Sequence, residues 1–411
     1  MTEKSLKNPF NLIVIVAALG YFVDIYDLLL FSIIRIPSLK ALGVSNADLL
    51  NVGASLISWQ MGGMLIGGIL WGILGDKKGR LSVLFGSIIL YSFANIANGF
   101  VTTIPMYAAM RFLAGLGLAG ELGAGITLVT ETMTKENRGY GTTIVSSVGI
   151  MGAIAGYFIA NYFNNWHISY FVGGGMGFLL LILRVGAYES GLFSNMKEKH
   201  ITKGNFFDLF SSRKKMIKYL SVVLVAVPVW YVVGILITFC SEIGKELNMS
   251  QIPDPGKGIL YCYAGIVFGG TFCGLISQYW KSRIKAITLF MILTLLFVIL
   301  YYVWAKTSLF AFYTVAVGLG VATGYWTTFI TSAAEQFGTN IRATVTTTSP
   351  NFVRGAVVPM TMGFRYFKTF FSDQGAVKSS IIIGVIVFTI AFIALRNMKE
   401  TYHKDLDYLE E

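Results

Sequence analysis

Asp24 and Asp27 sit at the centre of an otherwise apolar stretch running over residues 10–36. A charged side chain deep in lipid costs at least about 2.5–3.5 kcal/mol, so intramembrane carboxylates face a protein interior or a wet cavity and do a job there. Their three-residue spacing puts both on one face of a helix. Arg111 and Glu121 share a second apolar stretch, and Arg354 lies deep in a third. A buried, unpaired arginine is expensive, which predicts an acid or an anionic ligand for Arg354. No acid at matching depth is found in the same part of the chain, so Arg354 is a candidate for binding an anionic substrate. Arg184, near the end of its own stretch, is expected to reach water along its stem and to be structural.

Other chemistries find no support. Cys240, Cys262 and Cys273 have no metal or disulfide spacing, and His167, His200 and His403 fall between or beyond the apolar stretches. No nucleophile–base constellation, zinc-protease motif or phosphate loop occurs in the spans. The expectation is no metal, no cofactor and no enzyme.

These charges must be positioned by membrane helices. The 411 residues are 55% hydrophobic and only 13% charged, against about 25% charged in soluble domains. A span needs about 20 apolar residues, and twelve are predicted: 10–36, 49–74, 81–101, 104–130, 140–163, 168–188, 216–242, 257–280, 284–305, 307–332, 343–369 and 376–397. The fold class expected is an all-α membrane protein of twelve transmembrane helices. Its first domain would cover 1–188 and its second 216–411, with a basic central loop at 189–215. The first span is followed by many more and reads as a retained helix, not a cleaved signal.

Twelve spans put both termini on one side. By this assignment 21 Lys and Arg lie on that side, 8 on the other and three inside spans, of the 32 in the chain. The positive-inside rule then makes the termini and central loop cytoplasmic. The net charge of +11 reflects topology, not nucleic-acid binding.

The two halves repeat. Glu131 and Arg138 follow the fourth span, Glu335 and Arg342 follow the tenth, and the pairs are offset by 204 residues. A weaker echo links Gly72, Asp76, Gly79 and Arg80 with Gly274, Gln278 and Arg283. Parallel six-helix repeats around a midplane site are a transporter architecture.

Gly72, Asp76, Gly79 and Arg80 match the Gly-x-x-x-Asp-x-x-Gly-Arg loop between the second and third spans of the major facilitator superfamily, and the resemblance covers essentially the whole chain. It implies that Asp76 meets cytoplasmic cations such as Arg138, and that Gly72, Asp76, Gly79, Arg80, Glu131, Arg138, Glu335 and Arg342 gate the two pseudo-symmetric bundles. With Gln278 in place of the aspartate, the latch of the second half should be weaker. The stretch from Arg111 to Glu121 resembles the fourth helix of the sugar-porter, phosphate-symporter and metabolite-symporter branch. Asp24 and Asp27, around Tyr26, resemble the first-helix Asp-x-Tyr-Asp of proton-coupled phosphate symporters. In proton-coupled sugar porters the corresponding acid pairs with the fourth-helix arginine, which implies a pair of Asp27 and Arg111. Depth agrees: at 1.5 Å per residue Asp27 lies about 13 Å and Arg111 about 10 Å below the outer surface.

The resemblance thus implies proton-coupled import of a small anionic metabolite by alternating access. Asp27, Asp24, Arg111 and Glu121 would serve the proton; Glu121 is equally placed to brace packing. Arg354, Asn351, Gln60, Trp230, Tyr231, Tyr325 and Trp326 are candidates for the substrate path. The seventh span lacks an acid that phosphate symporters carry there, which argues against phosphate. The fifth lacks the proline of the drug-antiporter signature, which argues against drug efflux. A uniporter or exporter of a sugar, amino acid, siderophore or metal chelate is the alternative, and a membrane receptor or enzyme the alternative of another class. Expected partners are a small-molecule substrate, protons and the lipid bilayer of a bacterial inner membrane. No nucleic acid is expected, and a monomer is the family's usual state.

Overall fold

The computed structural model describes residues 12–78, 80–133, 138–189, 206–371 and 373–402. No strand occurs among them. In chain order the α-helices are α1 (Leu12–Ala41), α2 (Leu49–Lys78), α3 (Arg80–Asn98), α4 (Ile104–Leu118), α5 (Glu121–Thr132), α6 (Arg138–Phe163), α7 (Trp166–Glu189), α8 (Arg213–Tyr231), α9 (Cys240–Glu246), α10 (Pro255–Tyr279), α11 (Arg283–Val303), α12 (Leu309–Thr323), α13 (Trp326–Gln336), α14 (Thr339–Gly355), α15 (Val357–Lys368) and α16 (Gly375–Asn397). A π-helical stretch, Val232–Ile237, continues α8.

Several starts are set by capping side chains that accept from otherwise unpaired amides of the first turn. Ser212, Asp254, Ser282 and Ser308 do this for α8, α10, α11 and α12. Pro255 in the first position of α10 gives up an amide that would have had no helical partner anyway.

Ten helical stretches are long and apolar enough to cross a membrane, and Ser82–Asn98 is a shorter apolar helix. Outward-facing Phe93, Phe158, Leu179, Phe268, Ile299 and Val385 are exposed, as lipid contact requires and water would penalise. α14 lies outside that class of ten because it is polar. Its Thr344, Thr346, Thr347, Thr348 and Ser349 are all buried, and Thr346 and Thr348 return their hydroxyls to carbonyls one turn back, at Arg342 and Thr344. A helix that polar is affordable in a membrane only where other helices surround it.

The expected spans differ from the observed helices in three ways. The first continues past Pro37 to Ala41, so Arg35 lies inside the helix and not at its end. The seventh starts earlier than 216, at Arg213, after a 3-10 turn, Phe206–Phe210. The fourth, seventh, tenth and eleventh spans are each broken. The breaks at Gly120 and Gly324 stand 204 residues apart, the offset already found for the Glu and Arg pairs.

α1 packs along α6 and against α5 and α7, while α2 packs on α4 on one side and on α14 and α15 on the other. α8 lies against α14 and α16, and α10 against α12 and α6. α2 and α4 touch backbone to backbone: a Cβ added to Gly115 would stand 2.0 Å from the Gln60 carbonyl oxygen. Most of the most apolar window of α1 (78%) and of Arg213–Ile237 (89%) is buried. The central helices therefore carry the charged groups.

Candidate functional site

Asp24, Asp27, Arg35, Arg111 and Arg354 are each at most 1% exposed. Asp24 finds the partner that could not be named from sequence. Its Oδ2 accepts from Nη2 of Arg354 at 3.4 Å, across 330 residues of chain. The contact is long and single. Oδ1 of Asp24 and both Nε and Nη1 of Arg354 have no hydrogen-bond partner. The Trp230 ring lies 5.9 Å from the guanidinium carbon, and the Tyr21 side chain interacts with both Arg354 and Trp326. Arg354 thus sits between an acid and aromatic faces, with two donors unused.

Asp27 and Arg111 are neighbours, but the expected ion pair is not formed. Arg111 donates to the Tyr170 hydroxyl at 3.3 Å and to the backbone carbonyl of Asp27 at 3.5 Å, and lies 5.4 Å from the Phe31 ring. The Asp27 carboxylate turns toward α7, where a Cβ on Gly173 would stand 2.4 Å from its Oδ1. Neither of its oxygens has a hydrogen-bond partner. Similar depth brings the two residues together; side-chain direction, which depth does not specify, separates the charges.

A second long-range pair closes the far end of α1. Arg35 donates to Glu242 of α9 from Nη1 at 2.7 Å and from Nη2 at 2.9 Å, to the carbonyls of Leu49 and Thr238 at 3.2 and 3.1 Å, and packs on Phe239. Gly53 makes room for it, since a Cβ there would stand 2.7 Å from Arg35 Cδ. Burial pushes the Glu242 carboxyl up, but Arg35 and the Ser241 hydroxyl outweigh this and hold it below the usual carboxylate range. Neither residue stands out in the sequence, because each lies at the end of an apolar stretch. The available signal was an opposite charge at the end of each.

Glu121 is taken up by Arg184, which donates to both carboxylate oxygens and to the Leu84 carbonyl. Arg184 is 3% exposed, a correction to the expectation that it reaches water. Gly20 leaves the space the pair occupies. Of the path candidates, Trp230 lies beside Arg354, and Trp326 meets the same Tyr21 side chain that Arg354 does. Asn351 donates from Nδ2 to the Ala119 carbonyl freed by the α4–α5 break, at 2.8 Å, and to Thr347 O at 2.9 Å. Gln60, Tyr231 and Tyr325 bond the carbonyls of Leu28, Ser380 and Val225 and tie helices together.

Of the residues expected to gate, Gly72 faces Thr348, whose methyl would stand 3.7 Å from a Cβ added to the glycine. Gly79 and the side chains of Asp76, Arg80, Glu131 and Arg138 lie outside the described residues. Glu335 pairs with Arg283 at 3.2 Å, and Arg342 donates from Nε to the Ala334 and Phe337 carbonyls. Next to Gln278, Glu400 accepts from Ser282 and from the Arg283 and Ile284 amides. In the second repeat, therefore, a C-terminal carboxylate joins the cluster where the first-repeat aspartate is missing.

The sequence profile of the Major Facilitator Superfamily matches residues 16–358. A putative metabolite transport protein of Haemophilus influenzae is 28% identical over 279 residues, 64% of each chain. The niacin transporter NiaP of Acinetobacter baylyi is 30% identical over 163 residues, 39% of this chain and 36% of that one. The sialic acid transporter NanX of Escherichia coli is 28% identical over 212 residues, half of each chain. The chain thus spans less than two thirds of the length of these curated relatives. Buried charges on apolar, membrane-length helices and a profile match over most of the sequence agree: the chain is a multi-pass membrane protein that belongs to the major facilitator superfamily, a family of transporters and not of enzymes.

Proposed function

We propose that this chain is a proton-coupled importer of a small organic anion, working by alternating access. The single observation that carries the reading is Arg354: a buried guanidinium with two unused donors, beside the Trp230 ring. A buried cation in that condition is costly and is relieved by an anion. The relatives named for niacin and sialic acid, and a benzoate transport protein of Acinetobacter baylyi 26% identical over 211 residues, support an organic acid as cargo.

The moving parts are two six-helix halves, 1–188 and 216–411, joined by 189–215. The twelve spans are the ten apolar crossings, the shorter α3 and the broken polar helix α14–α15. The chain works as a monomer in a bacterial inner membrane with its termini in the cytoplasm. Asp24–Arg354 and Arg35–Glu242 then both bridge the halves, the second at the outer face. Asp27, with neither carboxylate oxygen partnered, carries the proton, and Arg111 beside it is the cation that it meets or loses as the halves rock. Glu121, committed to Arg184, braces the first half. Asn351, holding Ala119 from across the interface, and the loop residues Gly72, Asp76, Gly79, Arg80, Glu131, Arg138, Glu335 and Arg342 act on the cytoplasmic closure. Substrate and proton drive the cycle only by binding the two gated states differently.

The test is uptake of labelled nicotinate, benzoate and N-acetylneuraminate into proteoliposomes under an imposed pH gradient. Accumulation that follows the gradient in the wild type and is lost in Asp27→Asn is expected. Uptake indifferent to the gradient, or full coupling in the variant, sinks the proton assignment.

A further inference from the structure

Three buried arginine–carboxylate pairs occur among the described residues, and they are not alike. Arg35–Glu242 and Arg184–Glu121 each have two nitrogen–oxygen contacts and at least one backbone carbonyl besides. Arg354–Asp24 has one contact of 3.4 Å and no carbonyl. It leaves Nε and Nη1 of the arginine and Oδ1 of the acid without partners. Charge-assisted bonds run at about 2.7–2.9 Å and are strongest when bidentate, so this is the one pair in which the arginine is neutralised but poorly satisfied. A free carboxylate, able to approach end-on, satisfies it better.

We propose that Asp24 is a tethered stand-in for the substrate's carboxylate: it holds Arg354 while the site is empty and yields it when a substrate carboxylate arrives. The inference rests on the transport reading above and narrows the cargo to carboxylates. Its physical basis is that a carrier of this kind passes through a closed state twice per cycle, once loaded and once empty. An unpaired guanidinium buried in that closed state is strongly unfavourable and would block the empty return. With Asp24 in place the empty carrier closes on a neutral pair; with substrate in place the displaced Asp24 takes up a proton, so the loaded carrier closes on a neutral pair of Arg354 and the substrate carboxylate. Trp230 and Tyr21 are present in both cases, so the exchange needs only that Asp24 be protonated and swing away.

Removing the stand-in should therefore tighten binding and disable the empty return. In lipid nanodiscs, Asp24→Asn is expected to bind the carboxylate probe that the wild type binds, nicotinate, benzoate or N-acetylneuraminate, about 10-fold more tightly, the factor lost when a competing state holds some 90% of the population. In proteoliposomes the variant should keep counterflow, in which both crossings are loaded, and lose net uptake. Asp24→Glu, which keeps the charge and lengthens the arm, should fold and bind the probe more weakly than the wild type, and it keeps the proposal open to refutation if Asp24→Asn does not fold. Weaker or unchanged binding in Asp24→Asn, retained net uptake in it, or tighter binding in Asp24→Glu overturns the stand-in while leaving the transport reading intact. If the wild type binds none of the three carboxylates, the transport reading fails and the stand-in with it.

Discussion

Replacing Glu242 with Gln removes the charge that neutralises Arg35 and keeps the shape. The structure fixes what is lost: two charge-assisted bonds of 2.7 and 2.9 Å to a guanidinium that is itself 0% exposed. Such bonds contribute about 1.5–3 kcal/mol each, and breaking a buried pair from one side costs about 3–5 kcal/mol because the other charge stays behind. The Leu49 and Thr238 carbonyls and the Phe239 face remain, which puts the expected loss toward the lower figure. If the pair closes the outer face, that loss falls only on the outer-closed state. About 3 kcal/mol corresponds to a shift of roughly 150-fold toward the outward-open form. Ser58 bonds Thr361 across the same interface at 2.6 Å and is half-buried, so Ser58→Cys makes a reporter beside the buried native cysteines. Its labelling by a membrane-impermeant maleimide should rise steeply in the Glu242→Gln background. A double-mutant cycle with Arg35→Gln, read by denaturant titration in detergent, should return a coupling of about 2 kcal/mol or more. Coupling below about 0.5 kcal/mol, as for a surface pair, together with unchanged labelling, would refute the latch.

Two further outcomes are expected. Arg184→Gln and Glu121→Gln should each destabilise the protein by about 3–5 kcal/mol while leaving the proton-to-substrate ratio of the surviving carriers unchanged; a changed ratio in proteoliposome flux would move Glu121 into the coupling path. Glu400, outside the membrane helices, is pushed up by its partial burial, but the Ser282 hydroxyl and the Arg283, Thr401 and Tyr402 amides outweigh this and hold it below the usual carboxylate range. A depressed folded value contributes stability above the unfolded value, near 4.3, and loses it as pH falls through the folded one. The thermal stability of Glu400→Gln should therefore lie below that of the wild type at pH 7 and converge on it in acid; a constant gap would show that the charge is not what matters.

Much of this site was legible from residue type alone. Charges in lipid-length apolar stretches singled out Asp24, Asp27, Arg111, Glu121 and Arg354, because the bilayer makes a charge informative wherever it lies. What the linear pattern does not hold is direction. Asp24 and Arg354 are 330 residues apart, and no periodicity links them. Arg35 was hidden because the expected span stops at 36, where a charge ordinarily reaches water; its helix instead runs on through Pro37, a residue that ordinarily ends or kinks one. Tyr231 and Tyr325, expected along the path, donate to the Ser380 and Val225 carbonyls, since a hydroxyl in an apolar span bonds a neighbouring carbonyl as readily as a ligand.

Direction also explains why two acids three residues apart have separate fates. At 3.6 residues per turn, Arg35 lies eleven residues after Asp24 and only about 20° around α1 from it, whereas Asp27 is rotated by about 60°. Asp24 and Arg35 therefore share one stripe and reach Arg354 and Glu242, whereas Asp27 looks sideways toward Arg111 and Gly173. The two pairs on the stripe differ in what can replace them. Glu242 has a side chain 15% exposed, so water can take over for either partner when that end opens. Asp24 and Arg354 are sealed at 0% and 1%, where a charge is released at acceptable cost only to another charge. On the transport reading, the outer pair can therefore be opened by hydration alone, while the inner pair waits for an anion, and a single helix face sets both conditions.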